Sequence, residues 1–230
     1  MGRSAQAVVV LVPGGGWIDS DPKGLALLAQ SLADAGALAV RITYRTATDE
    51  AFFPDPVRDV GCGLAFAADL AAKGAGRGLE LVVLGHSAGA QLAAVAALDP
   101  ELAAAPDCPY APAAVDRLVG LAGPYDVVAF ADQAVNLFGP QNADPAQWDP
   151  GNPVVLAARR PELPVLLVHG SADPLVPPSS SAEFAAALEA AGHPVTTITV
   201  DGADHQSIYG ADVTGPLVVE WLGLAPRDNG

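Results

Sequence analysis

Ser87, Asp173 and His205 are the residues whose types and order supply this chain with a reaction to perform. Ser87 is the centre of Gly85-His86-Ser87-Ala88-Gly89, which fits G-x-S-x-G. The apolar run 79–84 before it reads as a buried strand. The alanine- and leucine-rich run 88–98 after it reads as a helix. Strand, tight turn and helix is the setting that pushes a serine out on a strained turn as a nucleophile. Gly85 and Gly89 keep the turn's flanks small, and the N–H of Ala88, first in its helix, is free to face a developing oxyanion. The same spacing also fits a plain glycine-rich turn of any doubly wound sheet; the strand and helix around it favour the nucleophile.

A serine nucleophile needs a base, and the base an orienting carboxylate. Of the four histidines, His86 lies inside the turn, and His169 closes a strand ahead of the expected acid. His193 follows a helix end and precedes a strand, which places it at the far end of a parallel sheet. His205 lies in Asp201-Gly202-Ala203-Asp204-His205, a loop leaving the same edge as Ser87, and is the expected base. Asp173, in His169-Gly170-Ser171-Ala172-Asp173-Pro174, follows the preceding strand and is the expected acid. Asp201 and Asp204 share the histidine's own loop, and Asp126 is a further alternative. Pro13-Gly14-Gly15-Gly16-Trp17 follows the first strand and lacks both phosphate-loop patterns. Its glycines let main-chain N–H groups approach a reacting oxygen. Trp17 either lines the acyl pocket or covers the loop.

Strands and helices alternate throughout, which predicts an α/β fold: a doubly wound, mostly parallel sheet of about six strands with helices on both faces. Strands are predicted at 8–12, 38–44, 79–84, 117–121, 163–169 and 195–200. Helices are predicted at 25–33, 56–72, 88–98, 180–191 and 214–224, with a loose tail over 225–230. Two stretches break this rhythm: 99–114, with four prolines, and 124–160, where only short helices are expected near 127–137 and 154–159. At 230 residues the expectation is a single domain, 1–230.

The net charge of −15, from 26 acidic and 11 basic residues, argues against nucleic acid or an anionic membrane as a partner. The longest apolar runs are strand-length, so no transmembrane helix is expected. The run 7–12 reads as a core strand rather than a signal sequence, and the expected location is cytoplasmic. Cys62 and Cys108 have no metal or redox spacing; two free thiols are the default, with a disulfide as the alternative.

With these residues in place the chain resembles the α/β-hydrolase superfamily. Within it, the chain is similar to compact carboxylesterases with an H-G-G-G-W oxyanion motif, relatives of the hormone-sensitive-lipase, kynurenine-formamidase and feruloyl-esterase-like groups. The markers are Pro13–Trp17, Tyr44-Arg45, the 53–60 run FPDPVRDV, Gly85–Gly89, Gly123-Pro124-Tyr125-Asp126, His169–Pro177 and Gly202–His205. The resemblance implies that Gly15 and Gly16 join Ala88 in an oxyanion hole. Two departures stand out. Pro13 replaces the motif's leading histidine, and the first strand begins so early that the family's two leading strands and N-terminal cap are expected to be absent.

The resulting expectation is a serine carboxylesterase with Ser87, Asp173 and His205 as triad, no metal and no cofactor, acting on a small-molecule ester. The two irregular stretches are too polar and broken for a lipid-facing lid, so short acyl chains are expected. An arylformamidase or small serine peptidase would use the same triad. A non-catalytic binding module on this fold is the third reading. The natural substrate and the oligomeric state stay open.

Overall fold

The computed structural model describes residues 5–74 and 78–225; most of the tail expected over 225–230 lies outside them. The strands are β1 (Ala7–Val12), β2 (Leu38–Arg41), β3 (Glu80–His86), β4 (Arg117–Leu121), β5 (Val165–Gly170) and β6 (Val195–Val200). They form one parallel sheet in the order β2-β1-β3-β4-β5-β6. The helices between and after them are α1 (Ala26–Asp34), α2 (Asp55–Gly74), α3 (Ala88–Leu98), α4 (Pro100–Ala103), α5 (Ala131–Phe138), α6 (Pro153–Leu156), α7 (Ser179–Ala191) and α8 (Gly215–Leu222).

The two-residue period of the strands divides the core. Val8, Val10, Val12, Leu81 and Val83 face α2 and α3. Val9, Leu11, Val82 and Leu84 face α1 and α8. Strands buried on both faces need no polar alternation, which is why β1 and β3 read as near-continuous apolar runs. Helix α3 is buried along its whole length, so alanine and leucine occupy every side of it.

From β1 the chain winds one way to β2 and the other way to β3. The crevice at the carboxyl ends of β1 and β3 is therefore the place where such a sheet binds ligands. The loop 13–17 leaves β1 there, and Ser87 leaves β3 beside it.

Several boundaries differ from the sequence expectation. Strand β2 stops at Arg41 because residues 43 and 44 turn to hold the β1 loop: Ser20 Oγ lies 2.6 Å from Thr43 Oγ1 and donates to the Tyr44 carbonyl at 2.7 Å. Strand β5 starts at Val165, after Pro164, which has no N–H to give a ladder. Helix α5 begins at Ala131 instead of near 127.

The default of two free thiols is corrected: Cys62 on α2 and Cys108 form a disulfide, with Cα atoms 5.6 Å apart. Contact between α2 and the loop around α4 brings them together. Gly61 packs so closely there that a Cβ on it would lie 2.0 Å from the Ala103 carbonyl oxygen.

Candidate active site

Ser87 sits at the sharp turn from β3 into α3 with φ 53° and ψ −125°, a conformation that L-residues seldom adopt. Its N–H donates to the Leu121 carbonyl on β4, and its own carbonyl accepts from the N–H groups of Ala90 and Gln91. The turn is tight on both sides. A Cβ on Gly85 would lie 2.3 Å from the Gly89 oxygen, and one on Gly89 would lie 2.3 Å from the Pro13 oxygen. The second contact presses the start of α3 against the loop leaving β1.

The three residues singled out from the sequence meet. Nε2 of His205 lies 2.9 Å from Ser87 Oγ, and Nδ1 of His205 lies 2.7 Å from Asp173 Oδ2. A carboxylate only accepts, so the His205 proton sits on Nδ1 and Nε2 is left to accept from the serine hydroxyl. Ser87 is half-buried, His205 is buried, and the Asp173 side chain has no exposure. The other Asp173 oxygen, Oδ1, accepts from the N–H groups of Leu175 and Val176, both at 2.9 Å. Burial alone would raise this carboxyl. The Val176 N–H, the His205 bond and the Leu175 N–H outweigh it, and Asp173 titrates below the usual carboxylate range.

The remaining histidines and acids have other partners. Nε2 of His169 donates to the Val176 carbonyl at 2.9 Å and lies 3.3 Å from Asp173 Oδ2, while its Nδ1 accepts from Ser181 at 2.7 Å. Burial holds His169 below its ordinary titration range. His193 bonds the carbonyls of Leu163 and Ala157 at the opposite end of the sheet. Asp126 accepts from Asn152 Nδ2 and the Val128 N–H rather than from His205. Asp201 accepts from Ser171, and Asp204 caps its own turn through Gln206 and Ser207.

Loop 13–17 lies beside Ser87, and four of its carbonyls are held by hydrogen bonds. Tyr44 Oη donates to the Pro13 oxygen, Ile18 and Asp19 N–H donate to the Gly15 oxygen, Asn136 to the Gly16 oxygen and Ala47 N–H to the Trp17 oxygen. Among the described residues no protein acceptor meets the N–H groups of Gly15 and Gly16. Gly15 has φ 141°, and a Cβ there would lie 2.1 Å from the Asp19 oxygen, so the loop's path requires glycine. Burial, and then Asp19, raise the Tyr44 hydroxyl, so it stays a neutral donor.

Trp17 is 2% exposed with φ 60°, and its indole N–H donates to Gln91 Oε1 on α3 at 3.0 Å. It therefore anchors the loop and also lines the cavity in front of Ser87. That cavity has a volume of about 450 Å³ and is bordered by Gly15, Gly16, Ala88, His205, Phe130 and Leu175, among others. Gln91, inside the predicted helix 88–98, is not among the residues that the sequence singles out. Its signal was present: one amide in an otherwise apolar, fully buried helix must have partners. Among the described residues, no group of three or more His, Cys, Asp or Glu is placed to hold a metal ion.

Residues 1–188 match the BD-FAE family. The chain belongs to that family. The match spans Ser87 and Asp173 and ends before the loop of His205. Among curated proteins, the chain is 26% identical over 220 residues to an isoprenylcysteine alpha-carbonyl methylesterase of Arabidopsis thaliana, covering 88% of this chain and 51% of that protein. It is 30% identical over 233 residues to Esterase LipQ of Mycobacterium tuberculosis, covering 95% and 54% respectively. This chain thus spans about half the length of these relatives.

Among solved structures, a truncated carbohydrate esterase from gut microbiota superposes with a TM-score of 0.83 at 20% identity, over 97% of this chain and 86% of that one. The propionate-bound esterase Est2 of Thermogutta terrifontis does so with 0.77 at 21% identity, over 99% and 88%. These likenesses, with the six-stranded parallel sheet, establish the α/β-hydrolase fold.

Proposed function

We propose that this chain is a serine carboxylesterase that hydrolyses small carboxylic esters through an acyl-enzyme on Ser87. The observation that carries this reading is the line from Ser87 Oγ through His205 to Asp173, at 2.9 and 2.7 Å, opening on the cavity. Its geometry suits a base that removes the serine proton as the oxygen attacks.

In the first half-reaction His205 Nε2 takes the Ser87 proton while the Oγ–acyl bond forms. The negative charge that develops on the carbonyl oxygen is met by the N–H groups of Gly15, Gly16 and Ala88. His205 then returns the proton to the departing alcohol as the ester C–O bond breaks. In the second half, water attacks the acyl carbon with its proton passing to His205. The carboxylic acid leaves, and Ser87 regains its proton. Asp173 keeps the imidazole in the right tautomer and stabilises the imidazolium.

The substrate class is a short-chain ester. The cavity of about 450 Å³ suits a small ligand, and its walls, with Leu25, Phe130 and Val176, are mainly apolar. The names of the relatives support ester over amide chemistry. No helix among the described residues is long and apolar enough to cross a membrane. The Cys62–Cys108 disulfide favours an oxidising compartment, against the cytoplasmic expectation. The test is hydrolysis of p-nitrophenyl acetate together with labelling by a fluorophosphonate. The reading requires turnover and a covalent adduct on Ser87; absence of both would refute it.

A further inference from the structure

Gln91 is wholly buried on α3, one helical turn beyond Ser87, and no step of the reaction above uses it. Its side chain makes two bonds of opposite sense. Oε1 accepts from the Trp17 indole N–H at 3.0 Å, and Nε2 donates to the Gly151 carbonyl at 2.7 Å. The indole can only donate and the carbonyl can only accept, so the amide's orientation is fixed by its partners. Its backbone N–H also donates to the Ser87 carbonyl.

We infer that Gln91 is a positioning residue that sets the distance between the two halves of the oxyanion site. This rests on the esterase reading above. One half, the Ala88 N–H, is fixed by the start of α3. The other half, the N–H groups of Gly15 and Gly16, rides on the loop from β1. That loop adopts positive φ at Gly15, Gly16 and Trp17 in succession, a path with little preference of its own. Its outer side is tied to the 43–47 segment through Tyr44 and Ala47. On the inner side, the Trp17–Gln91 bond ties it to the helix that carries the nucleophile. The Gly151 bond keeps the glutamine from rotating to another partner. Donors of this kind act only when aimed at the oxygen of the tetrahedral species, so a small displacement of the loop weakens transition-state binding while substrate still fits.

Gln91→Met keeps length and apolar bulk and removes both bonds. Trp17→Phe removes the same N–H from the opposite side. The probe is an alkylboronic acid. Ser87 Oγ adds to its boron as the serine proton passes to His205, leaving a tetrahedral adduct with an oxygen in the hole. In both variants kcat for p-nitrophenyl acetate is expected to fall about 10- to 100-fold, below the loss for deleting a donor outright. The boronate inhibition constant should rise by a similar factor. KM should stay within about twofold and the pH midpoints of kcat/KM unchanged, the pattern of an interaction made only in the transition state. A variant with a lower melting temperature but unchanged kcat and boronate affinity per folded molecule would overturn the inference and leave Gln91 as packing. If Gln91→Met does not fold, Trp17→Phe carries the same two readouts. Ser87→Ala run in parallel separates the levels: activity surviving there overturns the esterase reading, and this inference with it.

Discussion

His86 donates its Nε2–H to the backbone carbonyl of His205 across 2.9 Å, so the residue before Ser87 holds the loop of His205. Burial, and then the neighbouring His205, push His86 down to about 3, whereas an unfolded histidine titrates near ~6.5. Below about pH 6.5 the unfolded chain therefore takes up a proton that the folded chain refuses, and stability falls until about pH 3. His169 adds in the same direction. His86→Gln, which keeps an N–H donor, should flatten this acid limb. Urea midpoints at about pH 7 and pH 4.5 measure it, and an equal loss in variant and wild type would exclude His86 as the cause.

Ser87→Ala should abolish ester hydrolysis and leave the fold intact. The side chain is small and half-buried, and its backbone bonds to Leu121, Ala90 and Gln91 do not involve the hydroxyl. Circular dichroism and a p-nitrophenyl acetate assay on the same sample test both halves.

Asp173→Asn should lower kcat by about 10⁴-fold, because an amide facing Nδ1 favours the wrong imidazole tautomer. Asp126→Asn should cost far less, since that carboxylate bonds Asn152 and not His205. The reverse ranking would refute Asp173 as the acid. The ionised Asp173 also favours the folded state. That contribution is complete above about 3.9, the unfolded value, and is lost as pH falls through the lower folded value.

Cys62→Ser with Cys108→Ser should lower stability by up to about 4 kcal/mol, the chain-entropy value for opening a loop of 46 residues. Activity at 25 °C should persist, as neither cysteine lines the cavity of Ser87. Denaturant midpoints with and without reductant check the first statement, and kcat the second.

Rates along a series of p-nitrophenyl esters should peak at short acyl chains, about two to six carbons for a cavity of this size. A peak at ten or more carbons, or a jump once droplets form, would show that Leu175, 63% exposed, and the segment around Phe130 belong to an interfacial lid.

Much of this arrangement is legible in the sequence. Strands buried on both faces are apolar runs, and in a parallel sheet the loops at their carboxyl ends share one edge, so Ser87, Asp173 and His205 can be assigned to that edge from their places after strands. What stayed hidden depends on contacts between distant segments. The Cys62–Cys108 pair needs α2 to meet the loop after α4, and no local spacing encodes that meeting. The Gln91–Trp17 bond joins α3 to the β1 loop across the core. The short helix expected near 127–137 begins only at Ala131, because Asp126 accepts from the Val128 N–H and turns the chain there.

The sheet's strand order also bears on how the protein reaches this state. Every ladder is parallel, so no two neighbours can zip from a hairpin; Val10 must find Val83, and Leu84 must find Val119, across whole helical crossovers. Loop closure precedes the reward at each pairing, which puts the fold among slow, high-contact-order chains. The β1–β3 register is the one that sets Ser87 beside Gly15 and Gly16. Ser87 and the loop of Gly15 and Gly16 therefore depend on one long-range pairing, β1 with β3, whereas Asp173 and His205 depend on two others, β4 with β5 and β5 with β6.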